Sequence, residues 1–528
     1  MSNLWVCVAM KFGDVCNVLP IIYKEFHATN QKQNVLVASK YLPILTGCSY
    51  AVPVEWKGEW SDVDGAAKSV EGTDCYIKPV STMFAGKKFA KETPSFCYEQ
   101  YRLCGDLENF DNLPLVFDKR SPEREEKLVK ETVGDSKFIL IGDRGESSPF
   151  AKSDDLVELI SKKFKKFKVV RLSEVKADFI YDLIGLYDKA MALISTETVH
   201  LHLSRASNVP VIALTTNKPE RWHGTAFQKR FHLQIRYSDY DSRKGEIVDC
   251  LKTIIAGIPK PDIRLTGIGG YNMTLAATYP VYRFHPDKKS WRTILAINDG
   301  GRVSTIETPK EFEGYSFEDA RFFSFNGTAY LSYTLARTVE GHARCVIQYA
   351  QLRKTADGFR LANPIQPKYG KNDFSSMEKN WTFYAHNNRL YCFYQRSPEQ
   401  IVLEMDGDTV VKELKTKPPK WDYGDIRGGT HPIEYNGLLL QFFHSQKKGI
   451  YYVGALLMES TPPFQIVSVS SRPIFTGNET WIQGQKFWKG NVTIAYGATK
   501  LPNGFYVCGG FNDCATFESV LKEKQLFL

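Results

Sequence analysis

The chain has 528 residues, of which 43% are apolar and 24% charged, the composition of a soluble globular protein with room for two to four domains. No apolar run is long enough to span a bilayer, so no membrane insertion is expected, and residues 1–17 lack the basic start and cleavage site of a signal peptide. The formal net charge of +9 is compatible with a phosphate-bearing partner, DNA included, without singling one out. The eleven Cys form no CxxC pair and no zinc spacing, which suits reduced thiols and a cytoplasmic location, the host cytoplasm if the chain is viral.

Residues 4–10 read as a buried strand, followed by the turn Lys11-Phe12-Gly13-Asp14 and an apolar, helix-compatible segment over 15–23. A strand feeding a Gly-containing turn and a helix opens nucleotide-binding α/β domains. Asp14 falls where it can cap the helix that follows. A second strand is expected over 34–38 and a third over 50–54; residues 59–118 are irregular and aromatic-rich. Residues 121–133 predict a helix capped by Ser121, with Pro122 in its first turn. A strong strand over 137–142 ends at Asp143-Arg144-Gly145-Glu146-Ser147-Ser148. A helix (153–164), a strand (168–172) and an amphipathic helix (178–189) follow. The basic run 162–168, KKFKKFK, reads as the solvated end of an amphipathic helix rather than a nucleic-acid arm.

Residues 190–223 organise the first half. An apolar strand over 190–194 leads to Ser195-Thr196-Glu197-Thr198, then a helical segment carrying His200, His202 and Arg205, then a strand over 209–214. Strand, hydroxyl-rich turn, helix, strand is the βαβ unit of a parallel sheet. Ligands of such sheets lie beyond the carboxyl ends of the strands, where the turn offers amides and hydroxyls to a phosphate. Helix capping by Thr196 or Thr198 accounts for the same residues. A helix over 247–256 and a linker over 257–261 close this half.

Two stretches here resemble the heptosyltransferase family of GT-B glycosyltransferases, which use a nucleotide sugar. One is Ser195-Thr196-Glu197-Thr198-Val199-His200, continued by Val209-Pro210-Val211 and Arg221-Trp222; the other is the Gly-Asp-Val-x-x-x-Leu-Pro pattern of residues 13–20. Glu197 stands where that family usually has Gly. The resemblance implies Asp14 as the catalytic base and Thr196, Glu197, Thr198, His200, Arg144 and Ser147 as donor-phosphate contacts. It implies no cofactor and no metal.

After residue 261 the pattern changes. Short strands rich in Tyr, Phe and Val, clearest over 329–334, 390–394, 438–444, 451–457 and 504–508, alternate with Gly, Asn, Asp and Pro turns. This is an all-β domain, a propeller or a sandwich. Six motifs in order resemble the mannoside phosphorylases, five-bladed propellers. They are Glu318-Asp319-Ala320-Arg321, Glu378-Lys379-Asn380-Trp381, residues 428–433, Phe443-His444-Ser445, residues 451–456 and residues 508–513. Ala320 replaces the family's Pro, and Phe443-His444-Ser445 replaces its Tyr-His-Gly. The resemblance implies Asp319 as a general acid and Arg321, Lys379, Asn380, His431, His444 and Asp513 as ligand or anion contacts.

The expected architecture is therefore multidomain α/β plus all-β: a GT-B-like pair of Rossmann-like domains over 1–258 (1–133 on the acceptor side, 134–258 on the donor side) and a five-bladed β-propeller over 262–528. The expected function is an inverting glycosyltransferase that moves a sugar from a nucleotide-sugar donor to an acceptor hydroxyl. The acceptor is a glycan, or a hydroxymethylated base in a modified nucleic acid. Two alternatives stand beside it: a propeller acting as a glycoside phosphorylase or second transferase, and a propeller that only binds glycan or DNA.

Overall fold

The computed structural model of the chain describes residues 2–81, 96–106, 113–146, 148–216, 222, 224–225, 228, 231, 233–259, 263–266, 270–276, 279–286, 292–418, 420–477 and 491–527. Two compact units divide it, Met1–Pro259 and Lys260–Glu479 with Lys486–Leu528. Among the described residues no helix is long and apolar enough to cross a membrane.

The first unit contains two parallel sheets. Strands β1 (Ser2–Val6), β2 (Gln33–Ala38), β3 (Ala51–Trp56) and β4 (Cys75–Pro79) pair in the order β3-β2-β1-β4. Strands β5 (Phe138–Gly142), β6 (Lys168–Arg171), β7 (Leu193–Ser195), β8 (Val211–Thr215) and β9 (Leu233–Arg236) pair in the order β6-β5-β7-β8-β9. All five residues of β5 are buried, as a strand covered on both faces requires. The helices are α1 (Phe12–Thr29), α2 (Val63–Ser69), α3 (Phe96–Leu103), α4 (Pro122–Thr132), α5 (Ser153–Lys163), α6 (Ile184–Lys189), α7 (Val199–Leu203) and α8 (Tyr240–Ile255).

Several boundaries differ from the sequence reading. Helix α1 runs through Pro20 to Thr29, because its buried face, Val15 to Ile22, is held by the core and outweighs the one backbone bond that Pro removes. The amphipathic segment 178–189 splits into a 3₁₀ turn, Ile180–Leu183, and the short α6. The irregular stretch contains α2, β4 and α3. Strand β4 lies at the sheet edge with Tyr76 59% exposed, so it shows no apolar alternation to read.

The second unit consists, among the described residues, of five antiparallel blades. Blade I is Gly270–Ala276, Tyr279–Phe284, Ile294–Asp299 and Arg302–Thr305. Blade II is Ser316–Phe325, Thr328–Val339, His342–Thr355 and Gly358–Ile365. Blade III is Thr382–His386, Arg389–Gln395, Gln400–Asp406 and Thr409–Thr416. Blade IV is Arg427–Gly429, Leu438–Lys447, Ile450–Glu459 and Ile466–Val469, with two short added strands. Blade V is Thr493–Leu501, Gly504–Phe511 and Ala515–Leu521, completed by Arg264–Thr266 from the other end of the domain.

The first strands of neighbouring blades touch between I and II, II and III, IV and V, and V and I, while blade III meets the first strand of blade IV through its second strand. Apolar seams fill the gaps. Phe317 and Leu331 meet Val281 and Leu295 between blades I and II; Phe323 and Tyr349 meet Phe383 and Leu403 between II and III. Phe393 and Val402 meet Leu439 and Phe443 between III and IV, and Phe442 and Val453 meet Phe505 and Phe517 between IV and V. The seam that joins V to I is the smallest, built on Met273, Tyr282 and Cys508. Phe517 is fully buried and faces Leu265 of the closing strand. Phe517→Ala is expected to lower the unfolding free energy by about 3–5 kcal/mol, whereas Val520→Ser, on a neighbour that is 60% exposed, changes it by about 0.5 kcal/mol or less. Denaturant midpoints of the two variants check this.

Candidate functional site

In the first unit the order β6-β5-β7 reverses the direction of winding between β5 and β7, and the crevice beyond their carboxyl ends is where doubly wound sheets hold ligands. The loop after β5 and the turn after β7 meet there. Two backbone-level details hold them together: the Tyr237 hydroxyl accepts from the Glu197 amide and donates to the Ser148 carbonyl, both at 3.0 Å. A Cβ on Gly142, at the end of β5, would collide with Ser195 and approach His200, so the two strands come this close only because that residue is glycine.

Each predicted donor contact except Ser147 has a defined place. Thr196 is fully buried and both its amide and its hydroxyl donate to the Gly142 carbonyl, at 2.9 and 2.8 Å. Its side chain locks β7 to β5. Glu197 turns its carboxylate to Thr216, accepting from the amide at 3.0 Å and the hydroxyl at 2.7 Å. Thr198 caps α7, accepting from the His200 amide at 3.2 Å. Buried His200 shares a hydrogen bond with the Tyr187 hydroxyl, 2.9 Å from its Nδ1. Burial lowers its pKa to about 4 against the upward pull of Asp143, so the imidazole is neutral. Arg144 is exposed beside this turn. Ser147 and Arg221 lie outside the described residues.

The turn that carries Asp14 approaches from the other sheet. Asp14 accepts from the Lys11 amide at 3.1 Å, so it caps α1 while remaining half-buried. A Cβ on Gly13 would lie 2.6 Å from the His202 ring. His202 Nδ1 is 3.0 Å from Asn17 Oδ1, joining α7 to α1. Burial, with Arg205 adding, brings the His202 pKa down to about 4. At the lip, Lys11 and Lys40 lie 3.7 and 3.4 Å from Glu146. The two motifs, separated by about 180 residues of sequence, thus face one another across this crevice.

The second candidate lies where the first strands of the propeller converge. Asp319 is 8% exposed in the left-handed conformation, φ +53°, at a bulge between Glu318 and Arg321. Asn272 donates to its Oδ1 at 2.9 Å and Arg283 lies 3.6 Å away. Arg283 also donates to Glu318 at 2.7 Å, and Lys379 donates to the other Glu318 oxygen at 3.0 Å. Burial pushes the Asp319 carboxyl up, but Arg283, Lys379 and Arg321, with the Asn272 bond, together hold it below the usual aspartate value. It is therefore a carboxylate at neutral pH, and it serves as an acid only after taking up a proton.

Arg321 spends its donors on the fold: Nε to the Gly429 carbonyl at 2.7 Å, Nη1 to the Asp319 carbonyl at 2.9 Å and Nη2 to Asn380 Oδ1 at 3.3 Å, with its guanidinium over the Tyr496 ring. It fastens blades II, III and IV at the axis. Removing one member of such a buried set leaves a charge uncompensated at a cost of about 3–5 kcal/mol. His444 bonds the Gly428 carbonyl through Nδ1 and stacks on Tyr451; burial, with Arg321 and Arg427 adding, brings it to about 3. His431 meets Phe322 edge-on, its Nδ1 buried, and burial lowers it to about 4. Asp513 sits in a left-handed turn and adds, behind burial, to the upward push on the Tyr271 and Tyr496 hydroxyls.

Sequence reasoning did not single out Arg283, Asn272 or Tyr496 in the propeller, nor Asn17, Tyr187, Thr216 and Tyr237 in the first unit. The one available signal was Arg283, a charge inside the otherwise apolar and aromatic strand YPVYRF. Among the described residues no group of three or more His, Cys, Asp and Glu is placed to hold a metal ion.

No family model matches the chain, and no curated protein matches it. Solved structures similar to parts of it include both groups that its motifs resemble. A β-1,2-mannobiose phosphorylase from Listeria innocua is 14% identical, covering 50% of this chain and 92% of its own, with a TM-score of 0.37. The ADP-heptose lps heptosyltransferase II of E. coli is 13% identical, covering 49% and 99%, with a TM-score of 0.36. A GDP-Man-dependent mannosyltransferase from Leishmania mexicana is 11% identical, covering 52% and 94%, with a TM-score of 0.37. The architecture itself rests on the strand pairing described above.

Four imidazoles with lowered pKa values, His200, His202, His431 and His444, make acid sensitivity a property of both units. Unfolded, each takes a proton near 6.5; folded, each stays neutral down to about 4, or about 3 for His444. The unfolded state therefore binds more protons in that window, and stability falls as the pH drops from about 6.5 towards 4. His202→Gln is expected to reduce the proton uptake on unfolding at pH 5 by about one, as measured by the pH dependence of the denaturant midpoint.

Proposed function

We propose that the first unit is a GT-B-type glycosyltransferase that moves a sugar, with inversion, from a nucleotide-sugar donor to an acceptor hydroxyl. The observation that carries this reading is the meeting of the Asp14 turn with the switch-point crevice of the second sheet, through the Gly13–His202 and Lys11–Glu146 approaches. A carboxylate then stands on the acceptor side of a crevice lined, on the donor side, by Arg144 and by the capped turn at Thr198. Asp14 is the base that takes the acceptor proton. Arg144 and the polar turn receive the donor phosphates, and neutral His200 holds the turn in shape without adding a cation. Thr196 and Glu197 act through the backbone they lock. In this reading the fixed donors stabilise the departing diphosphate, and no metal is required.

The axis of the propeller supports a second reading, a carbohydrate site around Asp319. Its cations are already paired with Glu318 and Asp319, which favours a polyhydroxylated sugar bridging charged partners over an inorganic anion that must displace one of them. As a phosphorylase, this site would need phosphate to compete with Glu318 for Lys379.

Thermal shifts against UDP, GDP, ADP, CMP and inorganic phosphate test both. A ligand bound only by the folded chain raises its midpoint. One nucleoside diphosphate is expected to do so, Arg144→Gln to abolish most of the shift, and Asp14→Asn to keep the shift while losing about 10²–10⁴ in transfer rate. No shift with any nucleotide, or undiminished transfer by Asp14→Asn, removes the glycosyltransferase reading; a shift with phosphate alone moves the chemistry to the propeller.

A further inference from the structure

The basic run of the sequence gains neighbours in the fold. Lys162 and Lys163 end α5, Lys165 and Lys166 form the turn beyond it, and Lys168 opens β6. The Lys168 amide donates to the Lys137 carbonyl at 2.9 Å and its Nζ to the Thr132 carbonyl, at the end of α4, at 2.7 Å. Lys130 lies in the last turn of α4. All seven lysines are exposed. Six of them, Lys168 aside, have neither an ion pair nor a side-chain hydrogen bond among the described residues. Acids close in sequence to these lysines are Asp135, Glu158 and Glu131, all exposed, and Glu131 lies 3.9 Å from Lys127, while Asp188 in the last turn of α6 is bound to Arg120.

We propose that this edge is a docking surface for an anionic lipid membrane. Its cations are lysines, strongly hydrated point charges that suit a diffuse layer of headgroups, rather than arginines that grip single phosphates in pairs. The arginines of the same elements, Arg124 and Arg171, are already bound to Asp182 and Asp154. The aromatic residues of the run point inward: Phe164 is buried and meets Phe167 edge-on. No ring is left to stack on bases, as single-stranded nucleic acid needs, or to insert into lipid. The attachment is therefore electrostatic and peripheral. The edge lies at the amino ends of β5 and β6, while the crevice lies beyond their carboxyl ends, so docking leaves the crevice open.

The test is co-sedimentation of the full chain with vesicles of phosphatidylcholine alone or with phosphatidylserine added, at low and high salt, beside a gel-shift titration with duplex DNA. Binding to the anionic vesicles only is expected, weakening as salt screens the lysines. Each lysine near such a surface contributes roughly fivefold, so Lys162→Gln, Lys163→Gln, Lys165→Gln and Lys166→Gln together should lower the partition at least about tenfold. Lys130→Gln with Lys137→Gln should lower it less. Unchanged thermal midpoints show that both variants fold, and a midpoint that drops in one leaves the other and the salt series to decide. Equal binding to neutral vesicles, no vesicle binding, full binding by the four-lysine variant, or tighter binding to duplex DNA than to anionic vesicles overturns the proposal.

Discussion

Everything in the second unit depends on one pairing. Arg264–Thr266, at the start of the domain, completes the last blade by joining Ala515–Leu521 in antiparallel register, Leu265 opposite Phe517. Closing a sheet ring removes its edges and forces the first strands of all blades to converge. Convergence is what places Asn272, Asp319, Arg321, Asn380, Gly429 and Tyr496, drawn from five blades, in one chain of hydrogen bonds and ring contact. The ring is paid for unevenly: four seams are aromatic and aliphatic, while that between blades V and I is small, so the closing strand carries a large share of the task.

The two candidate sites use opposite electrostatics. At the propeller axis, full charges are buried together, and their cost is met by mutual pairing: Arg283 between Glu318 and Asp319, Lys379 on Glu318, Arg321 on three oxygens. Such a set is rigid, because moving any one member exposes the others unpaired. The crevice of the first unit instead keeps its imidazoles neutral, and its turn is shaped by hydroxyls, carbonyls and the absence of Cβ atoms. Its charged groups are Arg144, the lip lysines with Glu146, and the carboxylates of Asp14 and Glu197, each of which accepts a hydrogen bond from a backbone amide. A crevice of neutral donors suits a ligand that brings its own charge; a paired cluster suits one that brings hydroxyls.

Much of the fold was legible. Continuous apolar runs such as Phe138–Gly142 announced buried parallel strands, and short Tyr- and Phe-rich strands between Gly and Asn turns announced an all-β unit. The edge strand Cys75–Pro79 was not, since it lacks the burial that writes an apolar pattern. Candidate residues fared by the range of their partners. Thr198 as a helix cap depends on residues two positions away and was readable. The bonds of Thr196 to Gly142 and of Glu197 to Thr216 are contacts that no local spacing encodes. Asp319 was found by its motif, but its ionised state follows from Arg283 and Asn272, which lie in another blade.

The sequence by itself determined the two-part organisation, the parallel α/β character of the first part, the strand-rich character of the second and the chemistry-bearing residues within each motif. These follow from local periodicity and turn chemistry, which act over a few residues. Tertiary structure alone decided which of those residues face a cleft, which carry charge and which merely hold the backbone. It also gathered the lysines of three separate elements onto one edge. The reason is physical: hydrogen-bond satisfaction and the cost of buried charge are settled by neighbours in space, and the chain brings those together only when its sheets have closed.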